Sequence, residues 1–167
     1  MKQILKKFST LIILVVLVVI FSVASPNFLR INNILNVLRQ VAVIGILSAG
    51  MTYVIISGGM DLTVGAYLGL SGVAVAQMIS GGMVAPLAII LTMLIMTVIG
   101  VITGALIVGL DVSAIVITLG MMTVVRGLAY IFSGGLPVYD IPDSIVFLGQ
   151  GYVAGIPVPV IIMLIIV

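Results

Sequence analysis

The sequence contains no cysteine, histidine, tryptophan or glutamate. Without cysteine no disulfide can staple the chain, and without cysteine or histidine neither a zinc site of the usual kind nor a thiol or imidazole catalyst can be built. Charge is nearly as scarce. Six Lys/Arg and four Asp make up 6% of 167 residues, against about 25% charged residues in a soluble domain. Six basic side chains are too few for a nucleic-acid surface. No Gly-x4-Gly-Lys-Ser/Thr phosphate loop is present, so the chain does not hydrolyse ATP by that route. The carboxylates are not paired for acid–base work. Asp140 and Asp143, in a proline-containing stretch, read as solvated turn residues. What is abundant is apolar: 63% of the residues are hydrophobic and the mean hydropathy is +1.56. Such a chain cannot cover a soluble core with polar surface, so it reads as an integral membrane protein or a piece of one.

Between Asp61 and Asp111 lie 49 residues without a formal charge. A spanning helix needs about 20 apolar residues, so this stretch holds two spans, separated by Ser80-Gly81-Gly82 with Pro86 beyond. The apolar segments fall at about 8–25, 40–57, 62–80, 86–110 and 112–133, with a sixth opening near 157. The last runs only eleven residues to Val167, about half a bilayer crossing. The expected fold is an all-α polytopic transmembrane bundle of about five full spans plus a truncated sixth, forming one membrane domain over 1–167 with no soluble domain. Lys2, Lys6 and Lys7 precede the first span and place the N-terminus in the cytoplasm. The run from Phe8 to Ala24 exceeds a signal-peptide core, so it reads as an uncleaved anchor despite the small residues Ser22-Val23-Ala24. Alternation then puts 134–156 outside, as its lack of Lys and Arg agrees, whereas Arg30 and Arg39 in the first outside loop do not. Asn27–Gln40 reads as an interfacial helix, with Phe28, Ile31, Leu35 and Leu38 near helical spacing.

Two features stand out within the membrane. Arg126 lies well inside the fifth segment, where an arginine costs about 2.5–3.5 kcal/mol on insertion scales. Thr123, Arg126, Gly127, Tyr130 and Ser133 share one helix face, either as a polar stripe along a path or buried helix, or as a face whose arginine snorkels to an interface. Gly58-Gly59-Met60-Asp61-Leu62-Thr63-Val64-Gly65 breaks the apolar pattern near 58–65. It is either a discontinuous helix beside a translocation path or, more simply, a tight turn with Asp61 as N-cap. Thr63, Tyr67 and Ser71 share a face suited to interhelical hydrogen bonds. Gly45/Ala49, Gly65/Gly69 and Gly100/Gly104 repeat four apart, as closely approaching transmembrane helices do. The ten methionines read as adaptable packing, not a copper site.

The block Ile56-Ser57-Gly58-Gly59-Met60-Asp61-Leu62-Thr63-Val64-Gly65 resembles a signature of ribose-type monosaccharide ABC transporter permeases. A second block, Ile117–Ala129 followed by Ser133-Gly134-Gly135, is similar to the same family. So is a third, Leu148-Gly149-Gln150-Gly151 with Gly155-Ile156-Pro157-Val158-Pro159-Val160. The likeness runs from about residue 30 to the end. It implies the N-terminal half of an inner-membrane, multi-pass permease subunit of an importer for ribose or a related monosaccharide, working by alternating access. Its implied partners are a second permease subunit, a cytoplasmic ATP-binding subunit that carries the ATP, and an extracytoplasmic sugar-binding protein; no cofactor is implied on this chain. Gly109–Ala114 departs from the family, which commonly has a basic residue and a proline there. Family members are also about twice as long, so the segment that docks the ATPase is expected beyond Val167. The rival readings are a secondary carrier or channel that needs no ATP, and a permease fragment without function.

Overall fold

A computed structural model describes residues 8–139 and 141–167. Lys2, Lys6, Lys7 and Asp140, on which part of the expected topology rests, lie outside the described residues. The chain forms α1 (Ser9–Ala24), α2 (Ile31–Ile56), α3 (Val64–Ser80), α4 (Ala85–Leu110) and α5 (Ala114–Ser133). Then come a short α6 (Asp143–Gln150), strands β1 (Tyr152–Val153) and β2 (Ile156–Pro157), and α7 (Val158–Ile166). The α2, α4 and α5 helices are long and apolar enough to cross a membrane, while α1 and α3 are shorter apolar helices. A polytopic helical membrane protein is therefore what the sequence encodes.

The helix ends follow from local chemistry. The triplets Ser57-Gly58-Gly59, Ser80-Gly81-Gly82 and Ser133-Gly134-Gly135 each close a helix. After α2 the Gly59 amide donates to Val54 O at 3.0 Å and the Gly58 amide to Ile55 O at 3.0 Å. These two bonds satisfy carbonyls that a helix end otherwise leaves bare. The motif needs a left-handed residue, and Gly58 supplies it with φ +80°. Proline opens both α4 and α7 within the first two positions, where its missing N–H costs nothing.

Two expectations about the N-terminal half and the outer loop are corrected. Asn27–Gln40 is not a separate interfacial helix: Ile31 to Ile56 is one continuous helix of 26 residues, so Arg39 stands inside a span and not in a loop. Two of the polar residues there find partners: Asn33 Nδ2 donates to Phe28 O at 2.8 Å, and the two terminal nitrogens of Arg39 donate to acceptors described below, while its Nε is buried without one. The stretch 134–156 is not all loop. It holds α6 and a hairpin in which Tyr152 pairs with Pro157 and Val153 with Ile156. Ala154 and Gly155 turn it with φ 51° and 81°, two positive values as in a two-residue hairpin loop of type I′. Asp143, read as a solvated turn residue, sits in the first turn of α6, where a carboxylate favours the helix dipole.

Packing divides into two groups. In one, α3 packs on α4 and α5, and α4 on α5, around Ala66, Leu70 and Val125. In the other, α7 packs on α2, α6 and the hairpin. Gly45 permits that approach, since a Cβ there would stand 2.6 Å from Met163 Sδ. The other two small-residue pairs do not act so: Gly65, Gly69, Gly100 and Gly104 meet nothing within 4 Å of a built Cβ. They leave open space on this chain in place of closing a helix pair.

Candidate functional site

Four of the expected site residues, Gly58, Gly59, Asp61 and Thr63, meet at the break between α2 and α3. Residues of both helices, among them Val54 of α2 and Val64 of α3, line one cavity beside Asp61, and only residues 57–63 separate the two helices. The break is thus a turn between neighbouring spans. Asp61 is not the N-cap. Thr63 holds that position, and Asp61 Oδ1 accepts from the Thr63 amide at 2.7 Å and from the Thr63 hydroxyl. Asp61 therefore folds the turn on itself, and Thr63, fully buried, is left with its donors satisfied while its carbonyl receives the Tyr67 amide at 2.9 Å. A buried hydroxyl without such a partner would cost about 1–3 kcal/mol.

Two cavities flank this turn. One of about 650 Å³ is lined by Ser57, Gly58, Gly59, Asp61, Gly100 and Thr103 among others. A smaller one of about 340 Å³ lies between α2 and α3 and shares Asp61 and Tyr67 with the first. Tyr67 Oη and Thr103 Oγ1 stand 3.1 Å apart, joining α3 to α4 seven residues before α4 ends, about 10 Å inside that end at 1.5 Å per residue. Of the Thr63, Tyr67 and Ser71 face, Tyr67 alone makes an interhelical bond. Ser71 donates to Leu68 O in its own helix, although it also borders the small cavity. Gly58, Gly59, Asp61 and Thr63 are thus brought together at a polar turn between two hollows, with Gly65 exposed just inside α3.

Thr123, Arg126, Gly127 and Tyr130 lie elsewhere. All four are exposed on α5, whose opposite side buries Thr118 and Val125. Arg126 lines none of the cavities beside Asp61. Among the described residues it makes no hydrogen bond, so the stripe faces outward from this chain and not onto a helix within it.

One polar residue escaped the sequence reading. Arg39 on α2 donates to Gln150 O at 3.1 Å, to Tyr152 Oη at 2.8 Å and to Asn36 Oδ1 at 3.1 Å, with its guanidinium 5.3 Å from the Tyr152 ring centre. The available signal was its place: Arg39 lies 17 residues before Ile56, and one helix running back from the glycine stop includes it. Among the described residues no cluster of three or more carboxylates could hold a metal.

Comparison with known proteins identifies the family. The chain is 44% identical over 162 residues to the ribose import permease protein RbsC of Bacillus subtilis, covering 96% of this chain and 50% of that protein. It is 40% identical to RbsC of Haemophilus influenzae over 156 residues, covering 91% of this chain and 48% of that protein. It is 35% identical to the D-allose transport system permease protein AlsC of Escherichia coli over 162 residues, covering 96% and 50%. The chain spans about half the length of these relatives. No solved structure matches it. The family model described as "branched-chain amino acid transport system / permease component" matches residues 33–167, and the chain belongs to that family of permease components.

Proposed function

We propose that the chain forms part of the membrane-spanning subunit of an ATP-driven importer for ribose or a related monosaccharide, moving its substrate by alternating access. The observation that carries this reading is the 44% identity over 162 residues to a ribose import permease. The residue chemistry supports it in that the apolar helices provide a membrane body; in this reading the energy comes from a partner. That partner is a cytoplasmic ATP-binding subunit, and an extracytoplasmic binding protein delivers the sugar. A second permease subunit completes the pathway. The N-terminal lysines lie in the cytoplasm of this inner-membrane, multi-pass protein, so α6 and the hairpin face outward from the cell.

In this reading the polar turn at Gly58–Thr63, flanked by two hollows, and the outward face of Thr123, Arg126, Gly127 and Tyr130 are the two candidate elements of the path. An arginine mid-span needs water or a protein acceptor beside it, and both a path and an adjoining subunit supply one. The test is complementation. A strain lacking its own ribose permease, but retaining the ATP-binding subunit and binding protein, receives the gene encoding this sequence, and growth on ribose is recorded. Restored growth that disappears on deletion of the ATP-binding subunit is expected. Growth that survives that deletion contradicts the ABC reading and favours an ATP-independent carrier.

A further inference from the structure

The excursion between α5 and α7 is fastened to both packed groups, but unequally. On its entry side Ser80 Oγ of α3 donates to Tyr139 O at 3.3 Å, a single neutral bond at the long end of the range. On its exit side Arg39 of α2 donates to Gln150 O at 3.1 Å and Tyr152 Oη at 2.8 Å and sits beside the Tyr152 ring. Bonds from an ionised donor are about twice as strong as neutral ones. The exit side is also stiff: the Val158 amide donates to Gly151 O at 3.0 Å, and Gly151 packs so tightly that a Cβ would lie within 2.6 Å of the Phe147 ring. Between the two fastenings, Ile141 and Ile145 border a cavity of about 750 Å³ whose other walls are α3 and α4.

We propose that Arg39 is a positioning residue that latches α6 and the hairpin to α2, so that this strap travels with the α2–α7 group and draws Ile145 across the α3–α4 cavity when the two groups move apart. The proposal goes beyond the transport reading, because its readout needs no sugar and no ATP.

The absence of native cysteine allows paired nitroxide labels at Ile56→Cys, on the far end of α2, and Ser144→Cys, on α6, in the full chain in membranes. Pulsed electron spin resonance then gives the distance distribution between them. A single narrow peak is expected. Arg39→Ala should abolish that peak and broaden the distribution, Arg39→Lys should restore much of it, and Ser80→Ala should leave it unchanged. A control pair, Val108→Cys with Ile131→Cys across α4 and α5, reports whether the bundle is folded. An Arg39→Ala distribution as narrow as the parent's overturns the latch, and so does a Ser80→Ala distribution broadened as much as Arg39→Ala. If Arg39→Ala disturbs the control pair as well, Tyr152→Phe decides. Loss of that one hydroxyl must widen the α2–α6 distribution while the control stays narrow, and a peak unchanged by it refutes the proposal.

Discussion

Arg39 and Arg126 are both arginines within long apolar helices, and the structure treats them in opposite ways. Arg39 is half-buried and its guanidinium is held by acceptors from α2, α6 and the hairpin. Arg126 is exposed on α5, on the side away from Val125. A charge within a span is costly unless something compensates it. Arg39 finds its compensation inside the chain, so its work is architectural. Among the described residues Arg126 has no hydrogen-bond partner, so water, a lipid headgroup or a further protein segment is what would compensate it.

This difference sets a ranked series of tests. The largest structural effect falls on Arg39→Ala, which deprives Gln150 O and Tyr152 Oη of a charged donor. We expect destabilisation of about 1.5–3 kcal/mol, read as a lowered thermal midpoint in detergent, with α6 freed first. Gly58→Ala comes next. The φ of +80° there strains any residue with a Cβ, for a loss of about 1 kcal/mol, measured in the same way. Asp61→Ala removes the acceptor of the Thr63 amide and hydroxyl and should cost about 1 kcal/mol. Asp61→Asn, which keeps an acceptor oxygen, should cost less. Tyr67→Phe deletes the single hydroxyl that meets Thr103, and interhelical bonds of this kind average about 0.6 kcal/mol in membranes. Arg126→Ala should be the smallest of all in stability, close to zero, while ribose uptake falls. If Arg126→Ala lowers the midpoint as much as Arg39→Ala does, the contrast between the two residues is wrong.

The residues differ in how plainly their sequence announced them. The span pattern was legible because long charge-free runs and glycine stops are local signals: the expected boundaries at 62–80, 86–110 and 112–133 lie within two residues of α3, α4 and α5. The start of α2 was not. Asn32, Asn33, Asn36, Arg39 and Gln40 look like an interfacial stretch until their partners are known, and Arg39's partners lie 111 and 113 residues away. The α6 helix and two-residue strands are too short to carry a period. At the α2–α3 break, glycine and aspartate announced a turn. Which residue capped it depended on the backbone itself, which makes Thr63 the cap and Asp61 its acceptor. The two cavities beside it follow from helix placement and leave no mark in the local sequence.

The central claim is that the chain serves an ATP-driven sugar importer, and uptake of labelled ribose into right-side-out membrane vesicles tests it most directly. The vesicles contain the full-length product of the gene encoding this sequence with its ATP-binding subunit, are loaded with ATP, and are given the binding protein outside. Uptake that requires hydrolysable ATP, and that stops when a non-hydrolysable analogue replaces it, is the predicted result. Uptake at the same rate with no nucleotide inside would contradict it.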